Sequence, residues 1–218
     1  MQIRELQLAS AALDQQCHFY RYVLGFPVLQ ETPDVFALQA GASRLIFTRT
    51  TDTRTGIAHF AFNIPENQFA AAKQWLQERT PLWRNTDGGD EFFFEAWNAH
   101  ALYFNDLDGN ILELIARHTL PSASDQPFSQ KSILNISEIG IVTEDVPAQV
   151  AAIEARVGAT VYCEPGSDSF TPVGDEEGLF IVVKRGRMWF GDIGKAAERI
   201  PITVVTGTTE EPTTWHFT

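Results

Sequence analysis

Apolar and polar residues alternate with a period of two in three separate stretches: IRELQLAS at 3–10, GIAHFAFN at 56–63 and ISEIGIVT at 136–143. That period predicts a half-buried β-strand in each. A stretch with helical spacing follows each one, at 11–25, 66–79 and 146–158. Gly25 and Gly158 end the first and third, and Pro147 sits where a first-turn proline is tolerated. Short apolar runs come next, and they read as further strands. They lie at 26–31, 35–39 and 44–49, then at 81–85, 99–105 and 111–117, then at 160–164, 178–184 and 187–191. DLDGN at 106–110 supplies a hairpin turn, because Gly and Asn accept positive φ at little cost.

The pattern is therefore a strand, a helix and three strands, repeated with a period of about 50 residues. It predicts an α+β fold of βαβββ units. Residues 1–117 are expected to form a paired domain, 118–133 a linker rich in Ser, Pro and Gln, and 134–218 a third unit with an extra strand at 201–205. Strand alternation also sorts the side chains. Leu6 and Leu8 share one face of the first strand, and Glu5, Gln7 and Ala9 the other. Phe60 and Phe62 oppose His59, Ala61 and Asn63. Leu112 and Leu114 oppose Ile111, Glu113 and Ile115. The aromatic run DEFFFEAW at 90–97 cannot bury all its rings in one core, so some are expected to line a concavity or a contact.

Composition narrows the function. The chain has 218 residues, of which 44% are hydrophobic and 20% charged, which fits a globular protein and excludes wholesale disorder. Its net charge of −12 makes nucleic acid and anionic membrane poor partners. No apolar run of 18 residues occurs, and the first ten residues carry charges where a signal peptide needs an apolar stretch, so a cytoplasmic location is expected. Two cysteines, Cys17 and Cys163, far apart and outside any CxxC pattern, predict reduced thiols. No GxGxxG, GxxxxGK[ST] or GxSxG motif is present.

YFNDLDGNILEL at 103–114 resembles the YF-x-DPDGN-x-x-EL signature of the vicinal oxygen chelate superfamily, with Leu107 where that family usually has Pro. HFYRYVLGF at 18–26 is similar to that family's FY-x-x-x-LGF helix end, and βαβββ is its repeating unit. The superfamily includes glyoxalases, fosfomycin and bleomycin resistance proteins and extradiol dioxygenases. The resemblance implies two units forming an open cup, with a third unit unpaired. It implies a divalent metal (Mn, Fe, Zn or Ni) held by Glu5, His59 and Glu113, with Ile46 or Phe47 at the fourth position, where no ligand is possible. Glu5 and Glu113 are the expected catalytic carboxylates, and Tyr103, Gln7 and Asn63 are expected to meet a small-molecule substrate. One imidazole and two carboxylates suit such an ion and leave positions open for water or substrate.

In the third unit Glu138 matches Glu5 and His59, but the run at 187–191 offers no carboxylate. No metal is expected there. Glu138, Trp189 and Arg187 are expected to complete a small pocket or a contact in a homodimer, since an unpaired unit needs cover. The resemblance implies a metal-dependent lyase, isomerase or ring-cleaving oxygenase. A metal-free protein that sequesters a small molecule, of the bleomycin-resistance type, is the alternative, and a structural module with a decayed site is a third.

Overall fold

The period-two stretches form strands β1 (Ile3–Ser10), β5 (His59–Ile64) and β9 (Asn135–Thr143). Each opens a unit. The first unit continues with helix α1 (Leu13–His18), a π-helical turn at Phe19–Val23, and strands β2 (Val28–Glu31), β3 (Val35–Ala40) and β4 (Ser43–Arg49). The second has helix α2 (Phe69–Gln77), then β6 (Phe92–Phe94), β7 (Ala99–Asn105) and β8 (Ile111–Arg117). The third has helix α3 (Val146–Val157), β10 (Phe170–Asp175) and β11 (Gly178–Lys184), and a closing hairpin adds β12 (Ile202–Gly207) and β13 (Pro212–Phe217). The computed structural model describes residues 1–52, 56–163, 165–189 and 195–218.

Local chemistry explains the helix ends. The Asp145 side chain accepts from the Ala148 N–H at the start of α3, Pro147 occupies its first turn, and Gly158 closes it at φ +66°. Among the described residues the strands join in one open sheet, ordered β2-β3-β4-β1-β9-β5-β8-β7-β6. β11 pairs with β9 and carries β10, and β12 pairs with β1 and carries β13. Within each unit the last strand runs parallel to the first: β4 to β1, β8 to β5, β11 to β9.

Two units do form an open cup, but they are the second and third. β5 and β9 pair antiparallel, with Phe60 opposite Ile139 and Ala61 opposite Glu138. The first unit instead meets the closing hairpin through β1 and β12, and touches β9 through one register pair, Ile3 with Ile136. The reason lies in burial. β5 is buried at all six positions and β9 from Ile136 to Ile141, so each needs cover on both faces. β1 keeps Arg4, Glu5 and Gln7 half-buried and Ala9 exposed, so a short hairpin suffices for it. The third unit thus receives its cover from within the chain.

Three strand expectations differ from the structure. Residues 81–85 form no strand; Pro81 lacks a donor, and the stretch meets β7 only through Trp83, whose N–H donates to the Tyr103 carbonyl and whose indole N–H donates to Asn105 Oδ1. Residues 160–164 contribute one bridge, Val161 with Val173, and Glu164 lies outside the described residues. The stretch 187–191 contributes one bridge, Met188 with Ala196, and its residues 190–191 lie outside the described residues. β10 takes their place, although Pro172 and Gly174 interrupt its pattern. Among the strands it pairs with β11 alone; its other side meets 160–162 only through the Val161–Val173 bridge, where the Pro172 carbonyl still accepts from the Tyr162 N–H, so the missing proline donor does little harm.

The DLDGN turn between β7 and β8 is held by Asp106, which is buried. Its carboxylate accepts from the Tyr20 hydroxyl (3.0 Å), the Asn110 backbone N–H (2.9 Å) and the Asn110 side-chain amide (2.8 Å). Asp106→Ala orphans these buried donors and should cost about 3 kcal/mol, read as a lower urea midpoint at unchanged slope. An unchanged midpoint would show that the turn does not depend on this carboxylate.

Candidate metal centre

The cup floor is built by three strands. His59 begins β5, Glu113 lies mid-way along β8, and Glu138 lies on β9. All three are buried, at 8%, 2% and 2% exposure. His59 Nε2 stands 3.7 Å from Glu113 Oε2 and 3.8 Å from Glu138 Oε2, and the three donor atoms lie within 4.8 Å of one another. His59 Nδ1 faces the Ile111 carbonyl at 3.3 Å; a proton there leaves Nε2 as a lone-pair donor.

Each group is held by neighbours. Arg117, at the end of β8 and on the same face as Glu113, hydrogen-bonds the Glu138 Oε1, so Oε2 is the oxygen that faces His59. The Arg117 Nε donates to Asn63 Oδ1 at 3.2 Å, and its guanidinium lies over the rings of Trp97 (5.4 Å) and Tyr162 (5.8 Å). The Tyr103 hydroxyl hydrogen-bonds Glu113. Trp189 packs on the His59 ring with centroids 5.6 Å apart. Gly140 makes that approach possible, since a Cβ there would stand 2.5 Å from the Trp189 ring. Burial, and then the adjacent Glu138, push the Glu113 carboxyl well above the usual carboxylate range; Arg117 and Tyr103 oppose them. Burial first, and Glu113 next, push the Tyr103 hydroxyl well up.

The chemistry of this donor set fits a divalent ion. Two buried carboxylates against one guanidinium leave a net negative charge that only a proton or a cation relieves. Donors about 2.1 Å from a common centre lie about 3.0–3.6 Å apart. The observed 3.7 and 3.8 Å need a contraction of a few tenths of an ångström. Among the described residues this is the one group of three or more His, Cys, Asp or Glu that converges in this way.

His59 and Glu113 are therefore brought together, and Glu5 is not with them. Glu5 pairs with Arg44 at 3.3 Å, is 24% exposed, and has Arg44 and Val205 as register partners on the first unit's side. Gln7 lies there too, between Ile46 and Thr203. Asn63 is buried and occupied, donating to the Glu176 carbonyl (2.8 Å) and accepting from Arg117. Tyr103 does line the pocket above the centre. Glu138 is the residue that sequence reasoning kept out of the metal set: it was expected with Trp189 and Arg187 at a small pocket without a metal, and the three do line this pocket, but Glu138 stands in the group that could hold an ion. Its match to His59 is visible in the repeat, but the third unit's last strand is β11, not 187–191. In the three parallel pairs, Ala61 faces Glu113, Gly140 faces Ile181 and Gln7 faces Ile46. So each unit offers a polar first-strand residue, and only the second adds a last-strand carboxylate.

The pocket over this centre has a volume of about 660 Å³ and aromatic walls that include Phe94, Trp97, Tyr103, Phe170 and Trp189. No family model and no curated protein matches the sequence. Solved structures do match. A "putative dioxygenase" from Bacillus subtilis aligns over 84% of this chain and 63% of its own, at a TM-score of 0.62 and 14% identity. Glyoxalase I from Zea mays aligns over 84% of this chain and 66% of its own, at a TM-score of 0.55 and 15% identity. The chain has the vicinal oxygen chelate fold. It spans just under two thirds of the length of each of these proteins. The second unit and the third, whose missing strand is reduced to a bridge, make one cup, and the first unit pairs with the closing hairpin instead. No helix among the described residues is long and apolar enough to cross a membrane.

Proposed function

We propose that the chain is a metal-dependent enzyme of the glyoxalase or dioxygenase kind, acting on a small molecule that presents two neighbouring oxygens. The observation that carries this is the buried His59, Glu113 and Glu138 group on the floor of an aromatic pocket. A divalent ion held by these three would supply Lewis-acid polarisation of substrate oxygens. Arg117 fixes Glu138 in place, so the floor needs no reorganisation when substrate arrives. Tyr103, hydrogen-bonded to Glu113, is placed to carry a proton between that carboxylate and the pocket. The aromatic walls exclude water and orient a flat substrate.

A metal-free binding protein is the second reading, and one observation favours it: Arg117 already balances Glu138 without an ion. Titration with catechol, a simple vicinal dioxygen compound, separates the two. Protein stripped with EDTA and then reloaded with Mn²⁺ should bind catechol at least about tenfold more tightly than stripped protein, because the oxygens gain a charged partner. Equal binding in both states would remove the metal-dependent reading and leave the binding protein.

A further inference from the structure

Arg187 is the one cationic side chain among the described residues that line the pocket. Its guanidinium lies over the Phe170 ring at 5.0 Å, and one of its nitrogens donates to the Met188 carbonyl at 3.0 Å. The side chain is partly buried, which taxes its charge. Even so, in a chain of net charge −12, no carboxylate pairs with it among the described residues. Its neighbour Arg185 is paired twice, with Glu144 and Glu198. Glu95 also lines the mouth, but it is exposed and makes no ion pair with Arg187.

A guanidinium has five donors in a planar fork, and stacking on a ring leaves its edge free. One donor of Arg187 is used internally. The others match a planar two-oxygen anion in bidentate fashion. Such an anion would be repelled by Glu113 and Glu138, so it belongs on the part of a ligand away from the floor. The remaining wall suits a flat apolar body.

We propose that Arg187 is a specificity-determining residue, which holds a carboxylate carried by a flat, aromatic substrate whose oxygen-bearing end meets His59, Glu113 and Glu138. The part concerning that oxygen-bearing end rests on the function proposed above; the part concerning Arg187 does not.

The test compares 3,4-dihydroxybenzoate with catechol by calorimetric titration, on Mn²⁺-loaded protein and in EDTA. The two probes differ only by the carboxylate. Wild-type protein should bind 3,4-dihydroxybenzoate at least about tenfold more tightly, the usual gain from a charge-assisted bidentate pair. Arg187→Met should abolish that preference while leaving catechol binding and the melting temperature unchanged. Arg187→Lys, which keeps the charge but loses the fork, should retain part of it. EDTA should weaken both probes and keep the preference. A preference that survives in Arg187→Met, no preference in wild type, or no binding of either probe at millimolar concentration would overturn the proposal. If EDTA changes nothing but Arg187→Met abolishes the preference, the metal reading fails and the arginine assignment stands.

Discussion

Glu138→Gln should weaken Mn²⁺ binding by at least about a hundredfold, whereas Glu5→Gln should leave it unchanged. The two glutamates occupy matching positions in the repeat, so the contrast separates the site by geometry and not by residue type. Glu138 Oε2 stands 3.8 Å from His59 Nε2 within the buried group, and Glu5 is turned to Arg44 on the other side of the sheet junction. Losing an outer hydrogen bond at a metal site already costs ten- to a hundredfold in affinity, so losing a charged donor costs more. The glutamine is chosen because its carbonyl oxygen still accepts from Arg117, which limits the damage to the fold. Calorimetric titration of EDTA-stripped protein measures both variants. A weakened Glu5→Gln would place the ion in the first unit, and an unaffected Glu138→Gln would remove Glu138 from the ligand set.

Arg117→Met should be the most destabilising single change in the cup, by about 3–5 kcal/mol in urea denaturation. Its side chain is 0% exposed and pairs with Glu138, which is itself 3% exposed. Removing the cation leaves a buried, uncompensated carboxylate, and such truncations carry costs of that size. The cation–π contacts with Trp97 and Tyr162 are lost as well. Saturating Mn²⁺ should restore a substantial part of the loss, because a second cation beside Glu138 takes over the balance and because binding to the native state stabilises it by mass action. Equal destabilisation with and without Mn²⁺ would mean that Glu138 does not belong to the ion.

The strands that matter were legible because they alternate. His59 and Glu113 fall on the concave face of β5 and β8 by period alone, and Leu6, Leu8, Phe60 and Phe62 are buried in the core, as that period requires. Arg117 was not picked out, although it lies four residues after Glu113 and hence on the same face of one strand. The choice between Glu5 and Glu138 was not legible. Both sit on first strands beside apolar neighbours, and only the long-range pairing of β5 with β9 decides between them. That pairing follows from how deeply each strand is buried on both faces, a property of the assembled sheet. β10 was hidden because Pro172 and Gly174 break its pattern and its sparsely paired outer side tolerates them. β6 read as an aromatic run for a similar reason. Its three phenylalanines are a short edge strand, with Phe93 left 54% exposed beside the His100 ring.

The measurement that bears most directly on the centre is an anomalous-scattering map from crystals grown with Mn²⁺. The arrangement of β5, β8 and β9 requires one strong peak in the second-and-third-unit cup, with His59 Nε2 and a carboxylate oxygen from each of Glu113 and Glu138 at about 2.0–2.2 Å. A peak beside Glu5 and Arg44, or a cup that stays free of manganese at millimolar concentration, would contradict it.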